Sequence, residues 1–189
     1  MPVLNPVHDA ARQLIERRRT IHLFQPERPA DQRVLDALAS ARWAPNHRLT
    51  EPWRFYLLSD ETADAVARLN ADLVTVKRGE VAGQAKYERW AAVPGWLAVT
   101  HECSEDPIRN QEDYAATACV IQNLSLLLWA QGIGMKWTTG AVTRDPRFFD
   151  LLQINTKRER LVGLLWYGYP ATVPQTQRQK SVAEIVTRC

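Results

Sequence analysis

The chain has little cysteine and no long apolar run. Its three cysteines, Cys103, Cys119 and Cys189, are odd in number, widely separated and free of any C-x-x-C pair, which argues against a disulfide framework or a structural zinc site. The longest apolar run, around Leu124 to Ala130, is much too short to cross a bilayer. No charged segment followed by an apolar stretch and a small-residue cleavage site opens the sequence, so nothing there reads as a signal peptide. The expectation is a soluble, cytoplasmic protein with no membrane partner. Also missing are the G-x-S-x-G elbow, the Walker loop and H-E-x-x-H. Charge imbalance is small as well: 24 Lys and Arg face 21 acidic residues, for a net charge of +3. That field is far weaker than a dedicated nucleic-acid binder carries, and basic residues do not interleave with exposed aromatics, so no nucleic-acid partner is expected.

What is present is enough for one folded unit. The 189 residues, 46% apolar and 24% charged, can bury a sizeable core and fit a single domain over 1–189. One stretch concentrates positive charge. In Glu16-Arg17-Arg18-Arg19-Thr20-Ile21-His22-Leu23-Phe24, three arginines are followed by a hydroxyl and a histidine, ahead of Pro26 and Pro29. The apolar spacing of Ala11, Leu14 and Ile15 predicts a helix from His8 to Arg19, which sets the arginines in its last turn, where the helix dipole favours cations. Taken alone, an arginine triplet at a helix end is more often a solvated, dipole-complementing face than an anion site.

Further along, Asp31 can cap a second helix with Val34, Leu35, Leu38 and Ala41 on one face, ended by Pro45. Trp53 to Leu58 reads as a strand, and Ser59-Asp60 as a helix cap directly after it. A polar, Ala-rich helical region spans about 61–92, interrupted at Gly79; without a strong apolar stripe it reads as an excursion or lid within the domain. Gly95 to Thr100 is a second short strand. The most helical segment runs from Ile108 to Gln131, with Ala116, Val120, Leu124, Leu127 and Leu128 on one face, and stops at Gly132. It reads as a buried spine. Gly134 to Val142 is a loop entering a strand, Asp145-Pro146 caps and starts a short helix, and Arg160 to Gly168 is a strongly apolar strand. The tail after Pro170 is polar until Val182.

Several of these pieces resemble the signature segments of the flavin-dependent nitroreductase family, in particular its short bacterial members. Arg18-Arg19-Thr20-x-His22-x-Phe24 is similar to the family's Arg-Arg-Ser-x-Arg-x-Phe. Ala44-Pro45-Asn46-His47 through Pro52-Trp53 is similar to its Ala-Pro-(Ser/Asp)-x-x-x-x-Gln-Pro-Trp loop. Gly132-x-Gly134-x-x-Trp137-Thr138-Thr139-Gly140 resembles the flavin-facing loop, the segment from Val162 to Pro170 the late strand ending in Gly-x-Pro, and Arg178-Gln179-Lys180 the basic tail pair. The matches follow the family's order over nearly the whole chain.

The resemblance implies an α+β nitroreductase-like fold, with a central, mostly antiparallel sheet flanked by helices, in an intertwined homodimer with FMN at the interface. NAD(P)H would be the electron donor and a small-molecule oxidant, a nitroaromatic, quinone or related compound, the acceptor, by a ping-pong mechanism. Arg18, Arg178 and Lys180 would converge on the FMN phosphate, with Thr20 donating a hydroxyl and Arg19 nearby; an arginine fork suits such an anion. Trp137, Thr138 and Thr139 would run along the isoalloxazine edge, and Trp43 and His47 would come from the partner chain. No protein acid, base or nucleophile is expected, because the flavin carries the hydride. A flavin-binding or flavin-processing protein of the same fold is the alternative.

Departures from the family pattern shape the expectation. By the resemblance, His22 would stand near the flavin pyrimidine edge, where most members have Arg or Lys. A neutral histidine would stabilise the anionic reduced flavin less than a fixed charge, lowering its potential and making it pH-dependent. Leu49 and Glu51 replace the usual Asn and Gln, and Thr20 replaces Ser.

Overall fold

The computed structural model describes residues 5–189. Strands β1 (Trp53–Leu57), β2 (Gly95–Glu102), β3 (Gly134–Thr138) and β4 (Glu159–Gly168) form one sheet in the order β1-β2-β4-β3, with every neighbouring pair antiparallel. The helices are α1 (Pro6–Arg17), α2 (Asp31–Ala41), α3 (Asp60–Arg78), α4 (Glu80–Ala91), α5 (Pro107–Ala130), α6 (Pro146–Leu151) and α7 (Val182–Ile185). This is an α+β architecture, as expected.

Local chemistry sets most boundaries. Ser59 accepts the Thr62 N–H at 3.2 Å and starts α3. Asp106 and Asp145 each cap a helix whose first residue is proline, a position where the missing N–H costs nothing. Gly79 at φ 86° separates α3 from α4, and Gly132 at φ 77° follows the end of α5; both adopt left-handed backbone that glycine takes without a Cβ penalty. Some ends differ from expectation. α1 starts at Pro6 and ends at Arg17, because Arg18 at ψ 136° has left helical space. Asp31 is the first residue of α2 rather than its cap, and its carboxylate pairs with Arg28 instead. On α2, Ala37 is buried while Leu35 is exposed, so the helix is rotated towards its small residues. β3 ends at Thr138, and a single 3-10 turn over Ala141–Arg144 follows it.

The sheet is buried on both faces. On one side, α2 and α5 bring Val34, Ala37, Val120, Leu124 and Leu128 against Leu97, Val99, Leu165 and Tyr167. On the other, α3, α4 and α6 bring Val66, Leu69, Trp90 and Phe148 against Trp96, Ala98, Leu164 and Trp166. The 61–92 region therefore packs its inner face into a second core, while Val76 and Val81 remain exposed. Double coverage explains why β2 and β4 read as nearly continuous apolar runs rather than alternating ones. Trp90 meets Trp166 edge-on at 5.0 Å between centroids, with Trp96 5.3 Å from Trp90. The β2–β4 register shifts between Val99 and Thr100, so Leu161 and Leu164 pack on the second core while Val162 and Leu165 face the first.

α5 is the spine, with Leu124 wholly buried at its centre. Leu124→Ala should lower unfolding stability by about 2–5 kcal/mol, read from urea denaturation.

Candidate functional site

The arginine stretch is held in place by the segment directly after it. The Ile21 N–H donates to the Met135 carbonyl at 3.1 Å, the Gln25 N–H to Tyr169 at 2.8 Å, and the Ala171 N–H to Leu23 at 3.0 Å. Residues 20–24 thus lie as an arm along β3 and the end of β4, with Thr20 bridged in parallel to Met135. The approach is close: a Cβ on Gly134 would stand 2.3 Å from the Ile21 side chain. Ile21 itself is wholly buried.

A cavity of about 480 Å³ opens at this corner. Arg18, Arg19, Thr20 and His22 line it from the arm, and Thr176 and Arg178 from the tail. Arg18 is half-buried, and burial, then Arg178 and Arg19, push its pKa below the ordinary arginine value. Among the described residues it has no carboxylate partner. Arg19 plays a different part: its guanidinium turns back to donate to the carbonyls of Glu16 at 2.6 Å and Arg18 at 2.8 Å, completing the end of α1. Lys180 does not line the cavity; it sits beside Ser181, which caps α7.

His22 is exposed and also lines the cavity. Its pKa is held below the ordinary histidine value by burial first, then by the charges of Lys136 and Arg89, so the histidinium form is disfavoured. Lys136 was not anticipated as a site residue. Its ammonium lies 4.5 Å from the Trp166 ring centroid, and its pKa is lowered by burial, then by Arg89 and Lys86 of α4. Reading Gly134-Met135-Lys136-Trp137-Thr138 as strand rather than loop would have signalled it. Alternate residues of a strand face opposite sides, which turns Lys136 away from Trp137.

Trp137 projects from the other face. Its indole N–H donates to the Val162 carbonyl at 3.1 Å, and the ring fills the space above Gly163, where a Cβ would stand 2.0 Å from Nε1. The half-buried Thr138 and exposed Thr139 complete the β3 end. Trp43 and His47 lie elsewhere, on the loop after α2. Trp43 is 83% exposed. His47 Nδ1 is 2.9 Å from the Glu112 carboxylate, in a second cavity shared with Arg48, Arg109 and Asp113. Arg48, Leu49 and Glu51 all have positive φ, conformations that cost non-glycine residues about 1–3 kcal/mol each. The loop is held by Asn46, which accepts the Glu51 N–H at 2.9 Å, and by Thr50, whose hydroxyl donates to Asp113 at 2.7 Å.

An α+β sheet protein with an arginine-lined cavity at the junction of arm, strand end and tail is the class that fold and site define. The family model for the Nitroreductase family matches residues 15–169, and the chain belongs to that family. The Bacillus subtilis protein named "Putative NAD(P)H nitroreductase YfhC" is 33% identical over 184 residues, covering 95% of this chain and 94% of its own. The solved nitroreductase-like family protein from Bacillus cereus superposes with a TM-score of 0.83 at 27% identity, over 100% of this chain and 98% of its own. The structure from Desulfovibrio desulfuricans described as a "putative nitroreductase in complex with fmn" reaches 0.72 at 20% identity, over 97% and 96%.

Two outcomes test this geometry. Gly163→Ala should evict the Trp137 ring, abolish hydrogen-exchange protection of its indole N–H and cost about 1–3 kcal/mol. The His22 imidazole, followed by NMR, should titrate below the ordinary value of about 6.5, and Lys136→Met should move that midpoint upward, because a neighbouring cation disfavours histidinium.

Proposed function

We propose that the protein is an FMN-dependent NAD(P)H oxidoreductase that passes two electrons to nitroaromatic, quinone or similar small-molecule acceptors. The observation that carries this reading is the convergence of Arg18, Thr20 and Arg178 on one cavity from opposite ends of the sequence. A half-buried arginine flanked by two others and lacking a carboxylate is poorly stabilised until an anion arrives, and a phosphate monoester fits that donor set. The volume falls in the range of about 300–1,000 Å³ usual for cofactor sites. The family supports the same reading, as do the names of the Bacillus subtilis relative and the Desulfovibrio structure.

In this reading Arg18 and Arg178 hold the phosphate with the Thr20 hydroxyl, and Arg19 fixes the end of α1 beside them. Lys180 is near enough in sequence to add a charge as the tail settles. Trp137, Thr138 and Thr139 border the ring, and His22 lies towards its pyrimidine edge. Bound FMN supplies the hydride chemistry, accepting two electrons from NAD(P)H and releasing them to the oxidant in a ping-pong cycle.

The working form is a homodimer in which Trp43 and His47 serve the partner's site. Exposed apolar side chains on α1 (Val7, Ile15), the loop after α2 (Trp43, Leu49) and α5 (Ile108, Tyr114) support this. The α3–α4 region acts as the acceptor-side cover.

The purified protein should be yellow and bleach on adding NADH or NADPH. No flavin band and no uptake of added FMN would remove the proposal, whereas FMN binding without nicotinamide oxidation by any acceptor would favour a flavin-binding or flavin-processing role. Arg18→Ala should weaken FMN binding about 10- to 100-fold, the loss expected for one charge-assisted hydrogen bond of about 1.5–3 kcal/mol, measured by fluorescence titration. Sedimentation should give twice the 21.6 kDa chain mass.

A further inference from the structure

Beside this cavity lies a second group of basic side chains drawn from three elements. His22 comes from the arm, Lys136 from β3, and Lys86 and Arg89 from α4. The packing that assembles them is explicit. Lys136 stands directly opposite Trp166 in the β3–β4 register and lays its ammonium over that ring. Trp166 meets Trp90 edge-on, and on α4 Trp90 directly follows Arg89 and lies about one helical turn after Lys86. The tryptophans are thus the shelf that brings the α4 charges to β3.

No acid balances the group. Among the described residues, none of Lys86, Arg89 and Lys136 is ion-paired, and the charges acting on Lys136 are those of Arg89 and Lys86, with no carboxylate among them. Such a cluster resists assembly on its own and is relieved by an anion. His22, the member that lines the cavity, is a titrating imidazole whose charged form is disfavoured there, not a fixed charge.

We infer that Lys136, backed by Lys86 and Arg89, supplies the fixed positive field that position 22 lacks, and so sets the reduction potential of the bound flavin. The inference rests on the FMN reading above. Hydride transfer from a reduced nicotinamide delivers two electrons and one proton, leaving oxidised nicotinamide and a flavin with one more negative charge. No proton from the protein is required. A nearby fixed cation favours that extra charge and raises the potential, and the field weakens with distance as Coulomb's law states. On this inference the fixed charge that position 22 lacks stands on the strand alongside the arm, which opposes the lowered potential expected from His22 alone.

The test is the midpoint potential of FMN-loaded protein, by equilibration with a reference dye. Lys136→Met keeps an apolar stem over Trp166 and removes the charge. It should bind oxidised FMN as wild type does but hold reduced FMN at least tenfold less tightly, a fall of about 30 mV or more for a two-electron couple. Lys136→Arg should keep the wild-type potential, and His22→Arg added to Lys136→Met should restore most of the loss. The α4 pair Lys86→Ala/Arg89→Ala, of which Arg89 is exposed and Lys86 half-buried, should shift the potential in the same direction by less, and provides a second measurement should the strand variant fold poorly. FMN binding with a potential unchanged in both Lys136→Met and the α4 pair would overturn this inference and leave the FMN reading standing. Failure of the wild-type protein to take up FMN would instead defeat that reading.

Discussion

The seating of Ile21 on Gly134 is the contact on which the site depends. Three backbone hydrogen bonds tie the arm to β3 and the end of β4, but they can form only because residue 134 has no side chain. That one close approach sets the position of Arg18 and Thr20 before it and His22 after it. It also leaves the chain able to bring its tail back, since Ala171 bonds to the same arm at Leu23. The arm covers the outer edge of β3 as well, so the edge that would otherwise invite pairing with another chain is occupied.

Much of the fold was legible because its signals are local. Asp145-Pro146, Ser59, Gly79 and Gly132 mark helix starts and stops by side-chain capping, a fixed proline φ or left-handed backbone, and none needs a distant partner. The inner face of α2 was less legible, because the small Ala37 wins over Leu35 only once α5 is in place. The double burial of the sheet likewise depends on α3 and α4, whose weak apolar pattern hid Val66, Leu69 and Trp90.

The site divides in the same way. Arg18, Thr20 and His22 could be singled out from their own stretch, whereas Arg178 entered through resemblance to a family and not through any local pattern. Lys136 and Thr176 went unnoticed for a physical reason. A strand's two faces serve different cores, and which residue faces which is fixed by pairing register, here the β3–β4 register that sets Trp137 opposite Leu165 and Lys136 opposite Trp166. Nor does sequence reveal that Arg19 is spent on the α1 carbonyls while its neighbour Arg18 stays free.

The cavity is bordered at one extreme by Ile15 and at the other by Arg178. Synthesis runs from the first towards the second, so the spine, the sheet and both cores can be complete while the anion pocket still lacks a wall. A chain ending after β4 would retain every buried residue of both cores and lack the Thr176 and Arg178 side of the cavity, so the fold and the anion pocket are completed by different segments.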